Sequence, residues 1–114
     1  MQKWIEYCLT KRGTSLTNPF GPDVIVMKAG SKMYALLPAD GSPTISLKCD
    51  PAHAEALREQ HPEITPGYHL NKQHWNSIAL NGSLTDEEIE SMIDHSYELV
   101  LKKMTKAERS SIGS

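Results

Sequence analysis

Hydrophobic positions along this 114-residue chain switch between two periods, and the switches mark its elements. Trp4, Ile5, Cys8 and Leu9 fall at helical spacing, which predicts a short helix over residues 3–12 with one apolar face, stopped at Gly13. Lys11 and Arg12 suit the negative end of its dipole. Residues 14–23 hold Asn18, Pro19, Gly21 and Pro22 and read as a loop, with Phe20 expected to be buried as a plug over the sheet edge. The period then drops to two. Residues 24–30 and 32–37 are expected as the two strands of a hairpin turning at Gly30-Ser31. After a turn at Asp40-Gly41, Ile45, Leu47 and Cys49 alternate with Thr44, Ser46 and Lys48. That alternation predicts a half-buried strand whose outer face is polar and basic.

Asp50-Pro51 starts a second helix, with Asp as N-cap and Pro in the first turn, and it runs to about Gln60. Its apolar face is thin, mainly Ala54 and Leu57. Residues 68–73 and 74–80 are expected as two more strands or one long bent segment, followed by a turn at Asn81-Gly82. Thr85 and Glu88 make a capping box. The helix they open, 85–104, carries Ile89, Met92, Ile93, Tyr97, Val100, Leu101 and Met104 on one stripe. A stripe of that length must cover a sheet. Residues 105–114 form a polar tail expected to fray. The order α-β-β-β-α-β-β-α, with short hairpin-linked strands, is that of an α+β fold. A single domain over residues 1–104 has a mostly antiparallel sheet covered by helices.

Composition narrows the class. A hydrophobic share of 39% and a charged share of 23% suit a soluble globular domain with one modest core. No apolar run reaches the roughly 18–20 residues needed to span a bilayer. The first residues lack the apolar core of a signal peptide, so no membrane association and a cytoplasmic location are expected. Cys8 and Cys49 sit among apolar neighbours and are expected as small buried hydrophobes, not as a disulfide or reactive thiols. The net charge of −2 weighs against strong sequence-independent affinity for DNA, while leaving room for a local basic face.

Candidate chemistry gathers in residues 66–76, Pro-Gly-Tyr-His-Leu-Asn-Lys-Gln-His-Trp-Asn. Pro66-Gly67 fits the central pair of a type II turn, which requires positive φ at Gly67. His69 and His74 are an odd number of residues apart and face opposite sides of an extended strand, so a shared metal needs a bend between them. His53 and His61 lack an i, i+4 partner. With neither Cys-x-x-Cys nor His-Glu-x-x-His, no metal or cofactor is expected. There is no nucleophile elbow and no Gly-rich phosphate loop. Asp86, Glu87 and Glu88 read as compensation of a helix dipole. Asp94 and His95 lie beside the apolar stripe, where one of them is expected to hydrogen-bond a neighbouring element. No catalytic residue is assigned, and a non-enzymatic protein is expected. Trp75 is expected to be mostly buried; stacking on an unpaired base is its alternative role.

Five stretches carry a resemblance to a known family: Pro19-Phe20-Gly21-Pro22-Asp23, Ile45-Ser46-Leu47-Lys48-Cys49-Asp50, Thr65-Pro66-Gly67-Tyr68-His69-Leu70-Asn71-Lys72, His74-Trp75-Asn76 and Asp94-His95-Ser96-Tyr97. In this order they resemble the MmcQ/YjbR family of small bacterial proteins. The resemblance implies the same α+β arrangement, akin to secretion-chaperone-like and double-wing domains, and it implies DNA binding. The candidate contacts are then Lys28, Lys48, His69, Asn71, Lys72, His74 and Asn76. The lysines suit phosphate, while Asn71, His74 and Asn76 suit base edges. Strand lysines also serve simply to discourage edge pairing, and Asn near a turn bonds its own backbone. The alternative function is a small protein-interaction module, chaperone-like or adaptor, that receives a partner segment at a sheet face or edge.

Overall fold

The computed structural model describes the chain apart from Met1, Tyr68, His69, Leu70, Lys72 and residues 112–114. In chain order the elements are α1 (Gln2–Leu9), β1 (Thr14–Thr17), β2 (Val24–Ala29), β3 (Lys32–Pro38), β4 (Thr44–Lys48), α2 (Pro51–Gln60), β5 (Ile64–Pro66), β6 (Trp75–Ala79), α3 (Asp86–Lys102) and α4 (Lys106–Ser111). The strands form one six-stranded sheet in the order β1-β2-β3-β4-β6-β5, antiparallel throughout. The fold is therefore α+β with an open antiparallel sheet.

Local chemistry sets the helix ends as expected. The Asp50 carboxylate accepts from the His53 N–H at 3.4 Å, with Pro51 opening α2. Thr85 and Glu88 satisfy each other's backbone N–H groups in a capping box. Gly13, at φ 78, adopts the left-handed conformation that turns the chain from α1 into β1.

Helices α1, α2 and α3 lie on one face of the sheet. Trp4, Ile5 and Cys8 of α1 and Ile89, Ile93, Tyr97 and Val100 of α3 share a core with Met27, Ala29, Ala35, Leu37, Ile45, Leu47 and Ile78. Leu57 of α2 and Leu101 of α3 pack against this core but are only partly buried, the latter less deeply than its stripe predicts. The opposite sheet face carries Ser15, Lys28, Leu36, Ser46, Lys48, Ser77 and Trp75, as the register requires. The Ser46 and Ser77 hydroxyls meet across it at 2.9 Å.

Two strands differ from expectation. Residues 14–17, predicted as loop, are edge strand β1: Leu16 is its one apolar residue, too weak a signal to show alternation. Residues 64–66 form β5, a three-residue edge ending in Pro66. Residues 73 and 74, expected in strands, form a turn, while Tyr68–Leu70 and Lys72 of the expected 68–73 strand lie outside the described residues. Phe20 is 61% exposed, in a connection from β1 to β2 whose residues 18–23 are all exposed or half-buried, so it does not plug the sheet edge. The polar tail winds into α4, which buries none of its residues.

The length of α3 has a second purpose beyond apolar cover. Strands β3 and β4 pair only at Ala35↔Leu47 and Leu36↔Ser46, because β3 has a register shift against β2 near Tyr34. Where the next pair would form, the strands part and the Ser96 hydroxyl enters. It accepts from the Lys48 N–H at 2.9 Å and donates to the Tyr34 carbonyl at 2.5 Å. One side chain thus completes a broken ladder. Ser96→Ala is expected to leave both backbone groups unpaired and to cost about 1–3 kcal/mol in denaturant unfolding. Unchanged stability would show that β3 and β4 close without the hydroxyl.

Candidate functional site

The strands contain no Asp or Glu; their charged residues are Lys28, Lys32 and Lys48. The hairpin register puts Lys28 opposite Met33 and Lys32 at the start of β3, while Lys48 ends the neighbouring β4. All three therefore gather at one end of the sheet. Lys103, the C-cap of α3, is near enough to Lys48 for its charge to act on it. Burial holds the Lys48 ammonium below its ordinary pKa, and the Lys103 and Lys32 charges push in the same direction. Its Nζ sits 5.9 Å from the Trp75 ring centroid. The described ion pairs are Lys3–Asp86, Lys11–Asp94 and His61–Glu88, so none of these four lysines has a carboxylate partner among the described residues. Acidic residues cluster instead on the helices, notably Asp86, Glu87 and Glu88 in the first turn of α3.

The expected contacts divide under this geometry. Lys28 and Lys48 lie at the basic end. Asn71 is exposed, and its carboxamide accepts from the Gln73 N–H at 3.0 Å. Its carbonyl accepts from the N–H groups of His74 and Trp75, at 3.1 and 2.9 Å. His74 is half-buried, and its carbonyl accepts from the Cys49 N–H at 2.7 Å, which fixes this turn beside Lys48. His69 and Lys72 fall outside the described residues. Asn76 is a correction. It is 2% exposed, accepts from Arg58 Nη1 at 3.0 Å and donates to the Ala54 carbonyl at 3.4 Å. Its carboxamide ties α2 to β6 and cannot present itself to a base. Its register partner is Leu47, on the core side of the sheet. Lys32 and Lys103 were absent from the sequence-based candidates. Lys32 was visible as a strand-opening lysine; nothing in the linear pattern brings Lys103 near β4.

Trp75 is 4% exposed, so its ring offers no platform for a base. Gly67, expected at positive φ, is not in that region. A different constraint selects glycine there. A Cβ at residue 67 would lie 2.8 Å from Trp75 Cβ and 3.2 Å from its carbonyl oxygen, because the Gly67 N–H donates to that carbonyl at 2.9 Å.

A cleft of about 130 Å³ lies between α2 and α3, with Cys49, His53, Met92 and His95 on its walls. The His53 and His95 rings meet edge to face, 5.3 Å between centroids. Asp50 N–H donates a long bond, 3.5 Å, to His95 Nε2. Among the described residues no three His, Cys, Asp or Glu side chains are placed to hold a metal. Burial pushes both thiols up to about 11, so Cys49 in the cleft and Cys8 in the core are protonated at neutral pH. Asp94 accepts from the Tyr7 hydroxyl at 2.7 Å and pairs with Lys11 at 2.5 Å, which anchors α1 to α3.

Burial, then the neighbouring His53, holds His95 below its ordinary value; Lys102 adds to this and Asp50 opposes it. A histidine depressed by folding takes up protons more readily in the unfolded chain. Its contribution to stability is therefore present above about pH 6.5 and is lost as pH falls through and below that value. His95→Gln is expected to flatten this part of the stability–pH profile, measured by urea titration between about pH 7.5 and 5. An unchanged slope would assign the acid loss to other groups.

Similarity to known proteins extends over the whole of this arrangement. A family model described as YjbR matches residues 9–99. The uncharacterised protein YjbR of Escherichia coli is 32% identical over 106 residues, covering 92% of this chain and 90% of that one. A crystal structure of a Deinococcus radiodurans protein with a DUF419 domain has a TM-score of 0.90 at 39% identity, covering 98% of this chain and 86% of that chain. A Pseudomonas syringae protein of known structure has a TM-score of 0.73 at 35% identity, covering 86% and 96%. Matched in sequence and in fold along nearly its entire length, the chain belongs to the YjbR family.

Proposed function

We propose that this protein is a non-enzymatic, cytoplasmic DNA-binding protein that grips phosphates with the lysine-rich end of its sheet. The observation that carries this reading is the convergence of Lys32, Lys48 and Lys103, none of them ion-paired with a carboxylate among the described residues. Like charges held together raise each other's free energy, and a bound phosphate relieves that repulsion. The neighbouring hydroxyls of Ser46 and Ser77 and the turn at Asn71–His74 add neutral donors. With Asn76 buried and Trp75 covered, direct base reading and stacking lose their best candidates. The contact is then to the backbone, indifferent to sequence, and favours duplex over single strand. The non-enzymatic part rests on chemistry already engaged: both thiols are buried, and the Ser96 hydroxyl is held between two backbone groups.

Fluorescence anisotropy with labelled duplex and single-stranded DNA at low salt tests this. Binding is expected in the micromolar range or weaker, as for other non-specific phosphate contacts. The triple variant Lys32→Gln, Lys48→Gln, Lys103→Gln is expected to weaken every sequence alike. No binding at about 100 micromolar protein would exclude the proposal. A protein-interaction module is the second reading, favoured by the edge strand β1 with its exposed Leu16.

A further inference from the structure

The two edges of the sheet are built differently. β5 is three residues long and ends in Pro66, which lacks a backbone donor. β1 has no proline and no charged residue, and its register with β2 is unbroken. Proline, charge and a register break are usual devices for blunting an edge, and β1, though only four residues long, has none of those three. The large exposed hydrophobics among the described residues are Leu9 at 45%, Leu16 at 43% and Phe20 at 61%, all within or flanking this edge. Leu16 is opposite Met27 and so projects on the helix side of the sheet, where α1 also packs.

The backbone at this edge is self-complementary. The Gly30 N–H donates to the Gly13 carbonyl. By the alternation of an antiparallel ladder, Ser15 and Thr17 are then the residues bonded to β2, and Leu16 turns its own N–H and C=O outward. We propose that this edge pairs antiparallel with β1 of a second copy of the chain, about a twofold axis at Leu16. The two Leu16 residues exchange two backbone hydrogen bonds, and their side chains meet across the axis. Charge favours the same orientation. Lys11 is engaged by Asp94, which leaves exposed Arg12 at the N-terminal flank of β1, and exposed Asp23 follows its C-terminal flank. Antiparallel pairing sets the Arg12 flank of one copy against the Phe20–Asp23 flank of the other, whereas a parallel pair would set like against like. Because the β5 edge is blunted, the assembly closes at two copies.

The test is sedimentation equilibrium of the full chain and of edge variants, with circular dichroism to confirm folding. The wild type is expected to be dimeric. Leu16→Lys and Leu16→Pro, each counted twice across the axis, are expected to raise the dimer dissociation constant by about tenfold or more. The proline removes an N–H that β2 does not use. Arg12→Asp alone is expected to weaken the dimer, and adding Asp23→Arg to restore it; this swap keeps the test valid if the proline variant misfolds. A wild type that stays monomeric up to about 1 mM overturns the proposal. So does a dimer that the Leu16 variants leave unchanged, which would place the contact elsewhere. None of these outcomes depends on DNA.

Discussion

Replacing Ile93 with Ala is expected to lower unfolding free energy by about 2–5 kcal/mol. Ile93 is fully buried at the middle of α3, in the core shared with the inward side chains of β2, β3, β4 and β6. Removing its outer carbons loses their transfer free energy and leaves a cavity. The surroundings have little freedom to fill it, because α3 is pinned on both sides. Ser96, three residues on, is locked between β3 and β4, and Asp94 is held by Tyr7 and Lys11. Guanidinium unfolding monitored by tryptophan fluorescence measures the loss. A variant with full stability would contradict the packing of this helix.

Gly67→Val should cost about 3 kcal/mol or more, at the upper end of overpacking penalties. The obstacle is Trp75 backbone and Cβ, not the flexible end of a side chain, so relief requires β5 and β6 to separate. Gly67→Ala already places an atom 2.8 Å from Trp75 Cβ and should lose most of the same stability. Both variants should also expose Trp75 and red-shift its emission. Wild-type stability in Gly67→Ala would mean that the approach of the two chains is softer than the geometry requires.

Features written in local chemistry were legible in the chain. The Asp50-Pro51 and Thr85–Glu88 caps, the 24–37 hairpin and the alternation of Thr44–Lys48 depend on neighbours in sequence, and each stands where its pattern put it. The two missed strands are edges. An edge strand buries little, and Thr14–Thr17 is recognisable only once β2 is beside it. Gly67 was rightly singled out, but for a turn conformation; its actual constraint, close approach to Trp75, joins two strands and has no local signature. Asn76 looked like a base reader because a polar residue near a turn suggests exposure. Its β6 register instead turns it inward to Arg58 and Ala54. The basic end was half legible: Lys28 and Lys48 belong to strands of clear pattern, while Lys103 arrives from α3 through the tertiary fold.

The salt dependence of duplex binding tests the phosphate grip most directly. With three or four lysines at the contact and no base reading, log K against log salt should be linear with a slope of about −2.7 to −3.6, since each neutralised phosphate contributes about −0.9. The Lys32→Gln, Lys48→Gln, Lys103→Gln variant should lose most of that slope on every duplex tested. Binding whose slope is near zero, or is unchanged in the triple variant, would contradict a phosphate contact at this end of the sheet.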